Sequence, residues 1–196
     1  MKKCLLVAIP MTMVLSACQT AVPPVEVTRF HAGTPVRTGT VSVEEMDGNP
    51  DVGLEFESYA AAVGQELQRL GFSEAKGPSS EYRALVSFRR TFRPTGPDTR
   101  RSPVSVGVGG ATGSYGSGLG VGIGINLSGK PKDIVYTEMF VQIRRRSDNQ
   151  AVWEARGNTV AREGTPAAQP GLAAAKLAGA LFKDYPGQSG QTISVK

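Results

Sequence analysis

Side chains that could do chemistry are few in this 196-residue sequence, which has one histidine and two cysteines. His31 could act as a general base only beside a reacting group and an orienting carboxylate, and the sequence assigns neither. Two cysteines are too few for a disulfide framework, and no Cys/His spacing matches a zinc site. We therefore expect no catalytic residue and no metal site, and interpret His31 as a structural residue at a strand end.

Cys18 is the one side chain whose neighbours specify a reaction. The run Leu15-Ser16-Ala17-Cys18 resembles the bacterial lipobox, in which a small residue before the cysteine admits the signal peptidase. The resemblance implies cleavage before Cys18, diacylglycerol on its thiol and an acyl chain such as palmitate on the new N-terminus. A plain secreted signal, with Cys18 an ordinary thiol, is the alternative. The other cysteine, Cys4, lies in the segment that would be removed.

Residues 1–17 have the layout of a secretory signal peptide. Lys2 and Lys3 form a positive start, and the apolar run Leu5–Leu15 is eleven residues long, whereas a helix that crosses a bilayer needs about 20. Gln19 is not the aspartate that retains enteric lipoproteins in the inner membrane. By that analogy the destination is the outer membrane, facing the periplasm. Because the sorting rule varies among bacteria, the inner membrane stays an alternative.

The charge balance argues against nucleic acid as a partner. Without the leader the chain has 20 basic and 17 acidic residues, a net charge of +3. Such a mild excess does not produce the field that nucleic-acid binding uses.

Five arginines are candidates for anion binding. Arg83, Arg89 and Arg93 share one face of a predicted strand, and Arg144 and Arg146 lie at the end of another. If the two strands are neighbours, one sheet face is positive, and guanidinium forks suit phosphate or carboxylate. The alternative is a solvated face whose arginines pair with glutamates.

No cofactor is expected. The stretch Gly124–Lys130 nearly matches a phosphate-binding loop, but Pro131 stands where that loop needs a serine or threonine, and a strand follows instead of a helix.

Hydrophobic periodicity predicts an α+β fold. Period-two alternation indicates strands, and apolar residues three and four apart indicate two helices. The strands are predicted at Val25–His31, Thr40–Glu44, Tyr82–Phe92, Ile134–Ile143 and Ala151–Arg162, and the helices at Phe56–Leu70 and Leu172–Phe182. Half-buried strands favour antiparallel pairing, so we expect an antiparallel sheet with both helices packed on one face.

Two glycines have predicted roles in the first helix. Gly71 is a natural left-handed C-cap. Gly64 lies mid-helix, where glycine costs about 1 kcal/mol relative to alanine. A close approach of the helix to the sheet would explain Gly64.

A glycine-rich segment covers residues 104–128. Valines alternate with small residues from Val104, and apolar residues alternate with glycines over Leu119–Leu127. This pattern fits a β-hairpin, and the alternative is a loose glycine loop. Tyr115, near the expected tip, is a candidate contact for a partner.

The domain layout follows from these elements. Residues 18–24 would be the lipidated N-terminus and tether, 25–187 a single α+β domain, and 188–196 a polar tail with a short strand at 192–195.

Several segments taken in order resemble the proteobacterial lipoproteins of the domain of unknown function 4136 family. They are the lipobox, Val27–His31, Leu54–Tyr59, Leu67–Phe72, Ala84–Phe88, the glycine segment, Ala151–Glu154 and Phe182 followed by Tyr185-Pro186. The long glycine segment departs from the shorter loop of other members. The resemblance covers the mature chain and implies a small periplasm-facing lipoprotein without established catalytic residues.

The expected function is that of a non-enzymatic module, anchored to the membrane by lipid, which binds an envelope protein or glycan or supports envelope structure. One alternative is binding of anionic lipid or glycan through the arginine-rich sheet face. A second alternative, of another class, is an envelope hydrolase that uses His31.

Overall fold

The computed structural model describes residues 23–33, 36–49, 53–95, 104–113, 116–125 and 132–196. Eleven elements follow in chain order: β1 Val25–His31, β2 Gly39–Glu45, α1 Leu54–Leu70, β3 Phe72–Glu74, β4 Tyr82–Arg93, β5 Val104–Gly113, β6 Gly116–Ile125, β7 Ile134–Arg145, β8 Ala151–Arg162, α2 Pro170–Phe182 and β9 Thr192–Val195. The predicted α+β fold is confirmed. None of the described helices is long and apolar enough to cross a membrane.

The main sheet has seven strands in the order β3-β2-β4-β7-β8-β1-β9. The pairs from β4 to β9 are antiparallel, as predicted. At the other edge β2 runs parallel to both β3 and β4, so the sheet is mixed and the fully antiparallel expectation is corrected there. The reason is that α1 follows β2 and carries the chain back before β3 and β4 begin, as in any parallel crossover.

Both helices cover the same face of the sheet, as predicted. α1 packs on β2, β3 and β4, α2 packs on β1 and β8, and the helices also pack against each other. The largest fully buried side chains lie between these layers: Trp153, Tyr59, Leu67, Met139, Ile143, Leu177 and Leu181. Two aromatic stacks tie helix to sheet, Tyr59 on Phe88 with 4.0 Å and Trp153 on Phe182 with 4.9 Å between ring centroids. The opposite sheet surface, called here the helix-free face, carries the alternate residues of the strands.

The glycine-rich segment contains a β-hairpin, as one of the two sequence-based interpretations expected. β5 and β6 pair antiparallel in a two-stranded sheet of their own. The register sets Val106 opposite Ile123 and Val108 opposite Val121, while Gly107 stands opposite Gly122. Over residues 106–109 and 120–123, apolar positions therefore match apolar ones and glycines match glycines.

The antiparallel register gives the sheet two distinct ends. One row across β1, β8, β7 and β4 consists of Glu26, Asn158, Glu138 and Arg89. Beyond this row β4 ends at Arg93 and β7 begins at Ile134, and the hairpin is inserted between them. We call this the hairpin end, and β1 begins beside it. The opposite end, called the far end, carries the β7–β8 turn and His31.

The C-terminal residues belong to the fold. β9 pairs with β1, with Val195 opposite Val25, and Val195 is buried in the core. The folded body therefore extends beyond residue 187, the predicted end of the domain. The short strand foreseen at 192–195 pairs along the sheet edge and buries an apolar side chain.

The helix-terminating glycine is confirmed, whereas the explanation offered for Gly64 is wrong. Gly71 adopts φ 105° and ψ 7°, and its N–H donates to the carbonyl of Gln68. A Cβ on Gly64 would meet only Val43 Cγ2, at an ordinary 3.8 Å. Gly157 in β8 is the glycine that a close helix-to-sheet approach explains, because a Cβ there would lie 2.9 Å from Leu181 Cδ2.

These contacts predict opposite effects of alanine at the two positions. Gly64→Ala should raise the free energy of unfolding by about 0.5–1 kcal/mol, because alanine restricts the unfolded chain and meets no clash in the folded one. Gly157→Ala should lower it, because Leu181 must shift in a packed core. Urea denaturation of both variants measures the two effects. A loss of stability in Gly64→Ala equal to that in Gly157→Ala would contradict this prediction.

Candidate functional site

Five of the predicted functional residues lie outside the part of the chain that the structure describes. They are Leu15, Ser16, Ala17 and Cys18 of the lipobox, and Tyr115, the candidate partner contact.

His31 lies at the far end, where β1 finishes opposite Trp153 of β8. Its backbone N–H donates to Ser189 Oγ at 3.2 Å. Its Nδ1 is buried without a hydrogen-bond partner among the described residues. A catalytic imidazole needs an orienting group on that nitrogen. Within the described ranges, no three His, Cys, Asp or Glu side chains are grouped so that they could hold a metal.

The five candidate arginines do not form one cluster. Arg83 and Arg144 are register partners on β4 and β7, and Arg146 follows two residues after Arg144. Arg89 and Arg93 lie six and ten residues further along β4, which is about 20 Å and 33 Å at strand rise. The structure therefore brings three of the five together at the far end and places two toward the hairpin end.

The three far-end arginines bind groups of the protein itself. Arg83 donates to Asn149 Oδ1, and Arg144 donates to Gln142 Oε1 at 2.6 Å. Arg146 donates to the Ser80 carbonyl at 3.1 Å, and also to Ser42 Oγ at 2.9 Å and to the Glu44 carboxylate. These guanidinium groups fasten β2, β4 and the β7–β8 turn together, and Arg146 makes the largest share of these contacts.

Glu44 is the acidic partner of this network. Burial alone would raise its pKa, but hydrogen bonds from Ser42 and Arg146, with the charges of Arg146 and Arg83, outweigh burial. The pKa of Glu44 therefore lies below its ordinary value, and the carboxylate is ionised at neutral pH.

The other two arginines are exposed on the helix-free face. Arg93 stacks its guanidinium over Tyr136, 4.8 Å from the ring centroid, a cation–π contact. Arg89 lies opposite Glu138 in the register, and Glu138 pairs with Arg156 at 3.3 Å. This part of the face has mixed charge.

A groove of about 410 Å³ opens at the far end beside the C-terminus of α2. It is lined mainly by Arg29, Arg37, Asp184, Tyr185, Gln188 and Gln191. Two guanidinium groups thus share one concave surface, which sequence reasoning did not foresee.

Arg29 forms the wall of the groove and is only 3% exposed. Its Nε–H donates to the carbonyl of Leu181 at 2.9 Å, and Nη2 donates to the carbonyl of Ala180 at 2.8 Å. These are among the last carbonyls of α2, which have no partner within the helix, and a cation there also meets the negative end of the helix dipole. Burial lowers the pKa of Arg29, and the charge of Asp184 partly offsets this.

The turn after α2 shapes the rest of the groove. Tyr185 is buried, and its hydroxyl donates to the Val36 carbonyl at 2.9 Å. Burial raises the pKa of Tyr185 to about 12, so the phenol stays protonated and keeps donating at neutral pH. Arg37 donates to the Tyr185 carbonyl at 3.3 Å and is otherwise exposed at the mouth of the groove. Gly187 has φ 77°, and a Cβ there would lie 2.7 Å from Arg29 Nη1.

A sequence signal for Arg29 did exist. Val25, Val27 and Arg29 are alternate residues of β1 and lie on the same face of the strand, and the two valines are fully buried. An arginine in the inward register of a strand must find hydrogen-bond acceptors in the interior. Phe30, which takes the outward register, is 49% exposed, so the two side chains reverse the usual apolar-in pattern.

Comparison with known proteins finds an uncharacterized relative. The chain is 31% identical over 216 residues to the uncharacterized protein ZMO1243 of Zymomonas mobilis subsp. mobilis, over 90% of this chain and 82% of that protein. No family model matches the chain.

Solved structures match the chain only at low similarity. A PelC dodecamer from Paraburkholderia phytofirmans is 12% identical, with a TM-score of 0.45, over 84% of this chain and 99% of that one. A PDZ domain protein from Parabacteroides distasonis is 9% identical, with a TM-score of 0.45, over 88% of this chain and 39% of that one. Such distant likenesses carry no functional argument.

The Glu44 network predicts a pH-dependent contribution to stability. Because the folded-state pKa of Glu44 is lowered, its ionised form stabilises the fold above the ordinary value of 4.5, and this contribution disappears as the pH falls through the folded-state pKa. Glu44→Gln should therefore reduce the free energy of unfolding at pH 7, and the difference from the wild type should shrink below pH 4.5.

Denaturation midpoints measured between pH 3 and pH 7 test this. Glu163→Gln is the control, because Glu163 is exposed and its carboxylate has no described partner. If the difference in stability between Glu44→Gln and the wild type is independent of pH, the carboxylate charge contributes nothing to folding stability.

Proposed function

We propose that this chain, which belongs to the same family as the uncharacterized protein ZMO1243 of Zymomonas mobilis, is a lipid-anchored envelope module that faces the periplasm from the outer membrane. It acts by binding an envelope component or supporting envelope structure, and not by catalysis. Its resemblance to the domain of unknown function 4136 family is part of the same proposal.

The observation that carries the proposal is the run Leu15-Ser16-Ala17-Cys18 directly before the folded body. Only residues 19–24 separate Cys18 from β1. Seven residue steps span at most about 25 Å, so a lipid on Cys18 would hold the domain close to the membrane.

The far-end geometry supports binding over catalysis. The buried Nδ1 of His31 lacks the orienting acid that a hydrolase would require among the described residues. The far-end groove instead presents the donors of Arg37 and the amides of Gln188 and Gln191, which suit recognition of a ligand and not its activation. The hydrolase remains the weaker alternative.

Acylation at Cys18 is tested by labelling cells with a palmitate analogue. The wild-type chain should incorporate the label, and globomycin should cause a larger precursor to accumulate. Cys18→Ser should lose both effects. Cys4→Ser is the matched control, because Cys4 lies within the leader and its replacement should leave both effects intact.

Two outcomes would contradict the anchor: label retained by Cys18→Ser, or a wild-type chain that takes up no label. Co-sedimentation of the labelled protein with inner-membrane vesicles would move the proposed location to the inner membrane.

A second candidate function is recognition of a carboxylate- or phosphate-bearing envelope component. The observation that favours it is the pair of guanidinium groups, Arg29 and Arg37, in the far-end groove. Arg29 is held in place by α2, whereas Arg37 has donors left for a ligand. The arginines of the helix-free face are the competing location for the same ligand class.

Charge reversal separates the two locations. Peptidoglycan sacculi, which carry carboxylates, should retain the wild-type chain. Arg37→Glu should weaken retention about tenfold or more, because a charge-assisted hydrogen bond is worth about 1.5–3 kcal/mol. Arg89→Glu, an equally exposed reversal on the helix-free face, should have little effect.

A loss in Arg89→Glu alone would assign the site to the helix-free face. An equal loss in both variants would reduce the interaction to nonspecific attraction, and absence of wild-type retention would exclude sacculi as the ligand.

A further inference from the structure

Exposed apolar side chains are concentrated at the hairpin end. The large hydrophobic residues exposed among those described are Leu54 (92%), Leu172 (53%), Phe92 (51%), Phe30 (49%) and Tyr136 (39%). All except Phe30 lie at the hairpin end. Scattered single hydrophobic residues are normal on a surface, but a group at one end indicates an apolar partner.

Part-buried contacts of Arg90 fix the elements that carry these residues. Leu54 starts α1 and Leu172 lies in the first turn of α2. Arg90 pairs with Glu55 at 3.1 Å and donates to the carbonyl of Ala168 at 2.7 Å, so it ties both helix starts to the end of β4. The apolar group is therefore built into the folded body.

The hairpin that leaves this end has the composition of a segment in contact with lipid. Residues 102–129 contain no charged side chain. Their two strands pair only with each other within the described chain, so each strand has one open edge. Because the segment has no charged residue, no charge on these edges would discourage contact.

Basic residues flank the uncharged segment. Residues 93–132 contain five basic residues and one acidic residue, a net charge of +4, whereas the whole mature chain has +3. The positive excess of the protein therefore lies in this segment, whereas the first turn of α1 carries Glu55 and Glu57, of which Glu55 pairs with Arg90. Basic residues beside an uncharged segment match the arrangement of anionic headgroups around an apolar interior.

The tether starts at the same end. Thr159 Oγ donates to the carbonyl of Pro24 at 3.2 Å, which fixes the start of β1 beside the last residues of β8. The chain toward Cys18 therefore leaves the body on the side where the hairpin also leaves.

We infer that the hairpin end lies against the bilayer that holds the lipid anchor, so that Leu54, Leu172 and the β5–β6 hairpin make a second, peptide contact with the membrane interface. This inference rests on the proposed function for the anchor. The open strand edges keep the hairpin in the interfacial region, because unpaired backbone groups are not tolerated in hydrocarbon. The groove at the far end then points away from the membrane.

A second copy of the chain is the competing occupant. Edge-to-edge pairing would satisfy the hairpin edges. Such pairing would not explain why Leu54 and Leu172 are exposed or why basic residues flank the uncharged segment. Contact with a bilayer explains both observations.

Single-cysteine reporters test the inference in the full lipidated protein. Cys18 is expected to be acylated, so an added cysteine would be the free thiol of the mature chain. Ser117→Cys places a fluorophore in β6, and Ser147→Cys places one in the exposed β7–β8 turn at the far end. The protein is reconstituted in vesicles of phosphatidylethanolamine and phosphatidylglycerol, 3:1, with or without nitroxide-labelled lipid chains.

The fluorescence emission of the label at position 117 should shift to shorter wavelength. The nitroxide should quench this emission at least threefold more than that of the label at 147. Leu172→Asp should reduce quenching at 117, and Ala175→Asp, an exposed position in the next turn of α2, should not. Equal quenching at 117 and 147 would overturn the inference. Efficient 117–117 disulfide formation without quenching would overturn it in favour of a second copy.

Palmitate labelling of the same preparation separates this inference from the proposed anchor. If the protein carries the palmitate label but the fluorophores at 117 and 147 are quenched equally, only the hairpin contact is refuted. If the palmitate label is absent but the fluorophore at 117 is selectively quenched, the anchor at Cys18 is refuted and the hairpin end still faces the membrane.

Discussion

Burial of one sheet face under α1 and α2 is the constraint on which the rest of the structure depends. Trp153 and Tyr59 each stack on a second ring in this layer, and Leu177 and Leu181 fill the space between helix and sheet. Gly157 is needed because α2 approaches β8 so closely that no side chain fits below Leu181. Dense packing of this kind leaves few alternative positions for α2 and for the turn that follows it.

The position of α2 in turn determines what arginine can do in this molecule. Arg29 is buried because it satisfies carbonyls at the C-terminus of α2, and it then forms a rigid wall of the far-end groove. Arg146 has a similar task on the helix-free face, where it joins Ser42, Glu44 and Ser80. A guanidinium with its donors occupied by the protein supports a surface, whereas an exposed one such as Arg37 can recognise a ligand.

The antiparallel ladder also separates two surfaces along the length of the sheet. The tether, the hairpin and the starts of both helices lie at one end, and the groove lies at the other. A module held to a membrane at the first end would present the groove to the periplasm. This polarity follows from strand directions, because antiparallel neighbours return the chain to opposite ends in turn.

Local physics accounts for what could be predicted from the sequence. Alternation in β4 and helical spacing in α1 act over a few residues, as does the left-handed preference of Gly71, so these features are visible without the fold. The apolar and glycine alternation of β5 and β6 likewise predicted a hairpin. The lipobox is a linear motif, and its acylation stays a prediction because those residues lie outside the described structure.

The rest depended on contacts between residues far apart in sequence. Strand order, which no short pattern encodes, produces the parallel edge at β2 and the pairing of β9 with β1. It also decides which arginines bind groups of the protein and which stay exposed. The sequence by itself determined both helices and every strand except the three-residue β3, because backbone preference and periodicity are local. Only the tertiary structure decided that Arg29 and Arg37 share a groove and that Leu54 and Leu172 share an end, because packing sets those neighbours.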